Sequence, residues 1–324
     1  MAIPSFAKPY CVHQVGQTAY RLLTKDRHGI VLAVISNAVY LLSDQGKLVW
    51  LATKNSPMHP RSLQLTGALP ELTVGDPFHI EGCRLLIGAK GSLELTRLPI
   101  WMPPRLPSEK LIPLASLPER VLAIYATFDD LPSPAGFGSL ISGILLIAQG
   151  HPAARPKNLA TFPAFAWSIV HEVCMACLEH DFHKVMAHAE ALVGLGEGLT
   201  PSGDDFLGGL LFCRAILERA YPKLAHARFP HLTQTISRLK PRTHLISFTL
   251  LRDHARGRAM EPLHQFVNAL LTNQSAQDIR QAALQLSQVG HSTGWDLLAG
   301  VLAGMLLTFP QRVEAPKGSL GGEN

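Results

Sequence analysis

Along the first hundred residues, apolar positions come in short runs rich in β-branched and aromatic side chains, broken by glycine, proline or small polar residues. Ile30-Val-Leu-Ala-Val-Ile-Ser36 and Ala38-Val-Tyr-Leu-Leu42 predict strands. Ser43-Asp-Gln-Gly46 predicts a turn, and Lys47-Leu-Val-Trp-Leu-Ala-Thr53 the returning arm of a hairpin. Glu71–Val74, Pro77–Ile80, Arg84–Ile87 and Ser92–Thr96 continue as short strands between turns at Gly75, Gly82, Gly88 and Gly91. Strands of this length and spacing predict a small barrel or a sandwich-like domain. Pro99-Ile-Trp-Met-Pro-Pro-Arg-Leu-Pro107 holds four prolines. Each removes a backbone donor and fixes φ, so the stretch predicts a linker rather than a central strand or a helix interior.

From about Ile112 the apolar period changes to three and four residues, the spacing of one helical face. It predicts helices over Pro118–Phe128, Phe165–His180, Phe182–Leu195, Ser202–Tyr221, Thr243–Arg256, Pro262–Leu271, Ala276–Gln288 and Thr293–Thr308. Asp129–Arg155 gives no clear reading, with Pro132, Pro134, Gly136 and Gly138 ahead of the apolar run Leu140–Ala148. The expected fold class is α+β. Residues 1–107 form a β-rich domain with its linker, residues 108–312 a mainly helical domain, and residues 313–324 a disordered tail.

The helical half carries the most informative stretch, Gly194-Leu-Gly-Glu-Gly-Leu-Thr-Pro-Ser-Gly-Asp-Asp-Phe-Leu-Gly-Gly209. A glycine-rich turn runs into two hydroxyl residues, two adjacent carboxylates and then an apolar helix. Thr200 as N-cap with Pro201 at the first helical position is one reading; Ser202 as N-cap with Asp205 three residues on is the other. Either leaves free backbone N–H groups at the helix mouth, which favours an anion. The carboxylates pull towards a cation, an ammonium group or a transferable proton. A fainter copy lies downstream: Ser202-Gly-Asp-Asp-Phe-Leu-Gly-Gly-Leu210 aligns without gaps on Thr293-Gly-Trp-Asp-Leu-Leu-Ala-Gly-Val301. The repetition predicts two helix N-termini facing one glycine-lined pocket, with His291 and Thr243 on its rim. The plain alternative is that Asp205 and Asp296 only cap their helices, while the small residues let the helices pack.

Composition narrows the chemistry. Apolar residues make up 47% of the 324 and charged ones 16%, which implies a globular chain with a large core. The net charge of +5 is scattered, with no nucleic-acid-binding signature, so a small anionic substrate is the simpler partner. Five cysteines make no disulfide framework. Cys174-Met-Ala-Cys177 has metal-like spacing but no second pair; it reads as two small apolar groups on a helix face, with His171 making a metal only imaginable. The segment Met1–Tyr10 lacks the apolar run of a signal peptide, and Trp295–Leu307 is too short to span a bilayer. The expectation is a soluble cytoplasmic protein with no membrane or nucleic-acid partner. Pro241–Arg258 is the densest cationic patch, in which Thr243, His244 and Ser247 sit at a helix mouth where they can bind a carboxylate or phosphate, or simply bond back to the helix. His291 can donate to an anion or act as a general acid–base, or merely flank the cap.

The segment Gly194–Leu207 resembles the signature of the oxamate carbamoyltransferase subunit AllH family. The resemblance extends to Gly290-His-Ser-Thr-Gly-Trp-Asp-Leu-Leu-Ala-Gly300, to the helix carrying Thr243, Ser247 and Ala255-Arg-Gly257, and to the hairpin Ala38–Thr53. It implies one subunit of a three-component enzyme of allantoin catabolism. That enzyme transfers a carbamoyl group between oxalurate and phosphate, giving oxamate and carbamoyl phosphate. The implied partners are a subunit related to succinyl-CoA synthetase and a second subunit of formerly unknown function. The family supplies no catalytic residues, so the roles rest on residue chemistry. Asp204, Asp205 and His291 are the catalytic candidates. Gly196, Gly198, Thr200, Ser202, Gly203, Thr243, Ser247, Thr293, Gly294 and Asp296 are the substrate-binding ones. Asp204 is expected to orient an amine or hold a divalent cation, and Asp205 to organise the turn; no metal-ligand set or other cofactor is read. Two rival readings are a non-catalytic scaffold subunit and a stand-alone sensor of small anions.

Overall fold

The computed structural model describes residues 10–89, 91–125, 135–153, 155–224, 229 and 231–311. The chain divides into two compact units, one running to Arg105 and including Arg258–His264, the other comprising Leu106–Gly257 and the residues from Gln265 onward. The fold class is α+β.

In the first unit the chain runs β1 (Val12–Gly16), α1 (Gln17–Leu23), β2 (His28–Ile35), β3 (Ala38–Ser43), β4 (Leu48–Ala52), β5 (Ser62–Leu65), β6 (Pro77–Glu81), β7 (Arg84–Ile87), β8 (Gly91–Glu94) and β9 (Ile100–Trp101). These strands form one nine-stranded sheet in the order β8-β7-β6-β2-β3-β4-β5-β1-β9. The β4–β5 and β1–β9 pairs are parallel and the other neighbours antiparallel. Tyr10, just ahead of β1, bridges to Leu93 of β8, so one chain segment reaches both ends of this order and the sheet curls towards a barrel. A period of two places Val39, Leu41, Val49, Leu51, Leu63, Leu65, Leu85 and Ile87 in one core, with Ala19 and Leu23 of α1 packed among them.

Several local expectations change. Glu71–Val74 is not a strand; the Asp76 carboxylate accepts from the Thr73 N–H there and shapes a turn. β5 escaped notice because its polar positions are as buried as its leucines. Gln64 Nε2 donates to the carbonyls of Lys54 and Ser56, at 3.0 and 2.8 Å, and its Oε1 accepts from Gln14, which makes that burial affordable. The proline-rich stretch read as a linker contributes β9, an edge strand, where a missing N–H is tolerated.

The second unit contains α2 (Leu117–Tyr125), α3 (Ile141–Ala148), α4 (Thr161–Leu178), α5 (Phe182–Ala189), α6 (Ser202–Ala220), α7 (Leu232–Arg238), α8 (Leu245–His254), the body of α9 (Glu261–Leu271), α10 (Ala276–Ser287) and α11 (Thr293–Met305). Neither α3 nor α7 is foreseen by the periodicity. Among described helices, α4 is long and apolar enough to cross a membrane, and half of it is buried inside the protein. Residues 313–324 lie outside the described residues.

At the centre, every residue from Ser202 to Leu217 and from Gly294 to Met305 is buried. Two helices surrounded on all sides must pack without bulky residues at their crossing. A Cβ on Gly209 would stand 2.2 Å from the Leu297 carbonyl oxygen, and one on Gly300 would stand 1.9 Å from the Phe206 carbonyl oxygen. Gly209 and Gly300 are aligned positions of the repeat, and so are Phe206 and Leu297. The contact is therefore reciprocal: the repeated sequence builds a locally two-fold helix pair.

Candidate functional site

The α6–α11 pair brings its two N-termini together. Thr200 Oγ1 lies 3.4 Å from Thr293 Oγ1, and Ser202 Oγ lies 3.5 Å from Ser292 Oγ. The helix starts differ from both capping readings. Pro201 is the N-cap of α6 and Ser292 that of α11, and neither supplies a side-chain cap. The hydroxyls of Ser202 and Thr293 are turned instead to the facing helix.

The expected supply of free N–H groups is not found at most of these positions. Gly203 N–H donates to the Leu195 carbonyl at 2.9 Å, and the N–H groups of Asp204 and Asp205 donate to the Pro201 carbonyl. Gly294 N–H donates to Val289, and Asp296 N–H to Ser292, each at 2.9 Å. The glycines make room for the chain itself rather than for a ligand. A Cβ on Gly203 would meet the Leu192 carbonyl oxygen at 2.0 Å, and one on Gly294 the Leu286 carbonyl oxygen at 1.9 Å. Gly196, at φ +121°, packs against the Ser202 nitrogen, whereas Gly198, at φ +87°, faces open space.

The two adjacent aspartates differ in their surroundings. Asp204 is buried and fully engaged: Gly194 N–H donates to Oδ1 at 2.7 Å, and Ser247 and Thr243 donate their hydroxyls to Oδ2, the former at 2.5 Å. It ties the glycine turn and the start of α8 to α6, and it offers no open ligand for a cation. Thr243 and Ser247, expected as substrate ligands, spend their hydroxyls on it. Among the described residues no three His, Cys, Asp or Glu side chains gather as a metal site.

Asp205 and Asp296 are the open pair. Both are buried, and Oδ2 of each has no hydrogen-bond partner among the described residues. Phe137 N–H donates to Asp296 Oδ1 at 2.6 Å. That approach needs Gly136, which has φ +53° and no room for a Cβ, since one would stand 2.4 Å from the same oxygen. Burial drives the Asp205 carboxyl well above the usual carboxylate range, and the neighbouring Asp296 adds to the effect; the hydroxyls of Thr293 and Thr200 oppose it. Burial pushes Asp296 up to about 7, against the Phe137 N–H and the hydroxyls of Ser292 and Ser202. The exchange is again reciprocal, because the first hydroxyl of each helix serves the aspartate of the other. Among the described residues no lysine or arginine pairs with Asp204, Asp205 or Asp296.

His291 is exposed, and His244 is an exposed N-cap of α8 with no capping bond. In the cationic stretch Arg252 stacks 5.7 Å over the Phe248 ring, and the Arg256 carbonyl accepts from Arg219. Cys174 and Cys177 are buried thiols whose ionisation burial opposes. The sequence gives Gly136 and Phe137 no role at the site. Their contribution is a backbone donor from a distant 3-10 turn, which leaves no mark in side-chain pattern.

Residues 192–305 match the family model of oxamate carbamoyltransferase subunit AllH. The match covers about a third of the chain. The AllH-like segment contains the glycine turn, Asp204, Asp205, Thr243, Ser247 and Asp296. Gly136 and Phe137 stand outside it. No solved structure matches the chain.

Proposed function

We propose that the chain is one subunit of a multi-component carbamoyltransferase that interconverts oxalurate and phosphate with oxamate and carbamoyl phosphate, in allantoin and purine breakdown. The observation that carries this reading is the coincidence of the AllH-like segment with the paired helix starts. The matched residues include both repeated motifs and the two aspartates whose Oδ2 has no partner among the described residues. In this reading the α6–α11 mouth receives the small amide-bearing acid, and Thr200, Ser202, Ser292 and Thr293 form its hydroxyl lining. Asp205 and Asp296 are the groups placed to accept or hold a proton as charge develops on the carbamoyl nitrogen.

One observation favours a division of labour. Among the described residues no lysine or arginine pairs with the aspartates of the mouth, and several of its backbone donors are already used, so the counter-charge for phosphate is assigned to a partner subunit. Co-expression with the two partner subunits implied by the family, followed by affinity capture, is expected to recover a stable complex. That complex should form carbamoyl phosphate from oxalurate and phosphate. A chain that purifies alone beside both partners, with no transfer activity in the mixture, would reject the reading and favour a stand-alone sensor.

A further inference from the structure

We propose that the first unit binds a small amphipathic monocarboxylate at a cavity beside α1, with a ring-sized apolar body inside and the carboxylate held at the rim by Arg27 and Tyr20. The inference is independent of the carbamoyltransferase reading, because the family match begins at residue 192 and leaves the first unit without a role.

The cavity has a volume of about 190 Å³, and all of its lining comes from the first unit. Its apolar walls are Val15, Leu23, Ile80, Leu95 and Leu98, which belong to the core of the curled sheet or pack against it. The core therefore opens to the surface here instead of closing over itself. Two local features leave the gap. On α1, Ala19 and Leu23 turn into the core while Tyr20 stays 41% exposed. At the β6–β7 turn the wall is Gly82-Cys83, one residue without a side chain and one with a small one. An apolar cavity of ~150 Å³ holds a benzene-sized molecule, whereas drug-sized ligands occupy ~300 Å³ or more. The volume thus suits a single ring. The polar part of the lining selects the charge. Arg27 is its charged residue, and among the described residues it makes no ion pair, nor does the Tyr20 phenol make a hydrogen bond. A guanidinium presents a planar fork that fits a carboxylate, and a phenol adds one O–H donor. Among the described residues no aspartate or glutamate lines the cavity. The Asp26 carboxylate accepts from Ser43 Oγ at 3.0 Å, and Glu94 pairs with Arg84 at 3.3 Å, so the acids next in sequence to the lining are engaged elsewhere. A cationic ligand would find no counter-charge, and a neutral one would leave Arg27 unused.

The test uses phenylacetate as the probe, with two controls: phenylacetamide, which has nearly the same shape but no charge, and acetate, which lacks the ring. Calorimetric titration of the full-length chain is expected to give phenylacetate a Kd below ~1 mM, at least ~5-fold tighter than either control. Arg27→Gln, a change at an exposed position, should remove the preference for the acid over the amide. Cys83 reports the place. It is exposed and belongs to the lining, whereas Cys11 is exposed outside it. Saturating phenylacetate should slow the alkylation of Cys83 by a maleimide and leave that of Cys11 unchanged, as read by peptide mass spectrometry. Absence of phenylacetate binding, equal affinity for acid and amide, a preference that survives in Arg27→Gln, or binding that leaves Cys83 as reactive as before would each overturn the proposal. The affinity ratio and the labelling of the unmodified protein need no variant to fold.

Discussion

Asp204 and Asp205 are adjacent in the chain and both are buried, yet one accepts three hydrogen bonds and the other has an oxygen with no donor among the described residues. The difference comes from where each side chain leaves α6: Asp204 faces the glycine turn and α8, Asp205 faces α11. Asp204→Asn would present an amide N–H2 to groups that are themselves donors. We expect it to cost roughly 2–4 kcal/mol of stability, read as a lowered denaturant midpoint. A variant as stable as the parent would show that this network does not hold the turn. The Asp296 carboxyl titrates near pH 7 in the folded state against 3.8 as its ordinary value. Because the folded value is the higher one, its neutral form stabilises the fold fully below about pH 4, and that contribution is lost as pH rises to about 7. The parent should therefore lose stability relative to Asp296→Asn across this window, with a slope of up to ~1.4 kcal/mol per pH unit for this group. Asp205, raised for the same reason, acts in the same direction. Parallel pH–stability profiles for parent and variant would contradict the burial argument.

At the scale of elements, the α6–α11 crossing depends on two missing side chains. Gly209→Ala and Gly300→Ala each drive a methyl into a backbone carbonyl that cannot rotate away, and each should cost about 3 kcal/mol or more. Gly198→Ala offers the contrast. Its Cβ would enter open space, so only the strain of its left-handed backbone is felt, about 1 kcal/mol. Thermal melts of the three variants would check the order, and a crossing variant no worse than Gly198→Ala would refute the packing account. The aligned glycines are visible in the repeat, and the convergence of the two helix starts is an expectation the repeat raises. The carbonyls that those glycines admit belong to the facing helix, which no single motif reveals.

For the whole molecule, the prolines at 99–107 suggest where one unit ends, and Leu106 begins the second. The return of Arg258–His264 to the first unit has no such local signal. It is set by contacts within that unit, including the Glu261 N–H donating to the Met58 carbonyl at 2.9 Å. Residues 106–324 produced alone are expected to retain helical circular dichroism and a cooperative melt, because α6 and α11 and their surrounding helices form their own core. A fragment melting without cooperativity would show that the helical unit depends on the first for its folding.

Local sequence determined the elements whose side chains repeat regularly. The β-branched and aromatic runs of Ala38–Thr53 around the Ser43–Gly46 turn set the hairpin β3–β4, and the three-and-four apolar spacing of Ser202–Tyr221 and Thr293–Thr308 set α6 and α11, because both signals lie between neighbours in the chain. It also marked 194–205 and 290–296 as chemically unusual. Tertiary structure decided what those residues do. It made Asp204 a structural anchor, left Asp205 and Asp296 with open oxygens, turned Gly203 and Gly294 into packing positions, and brought Phe137 to Asp296 from outside either motif. The reason is physical: whether a buried carboxylate is satisfied depends on donors supplied by other segments, and the distance between segments in space is not encoded in the period of either one.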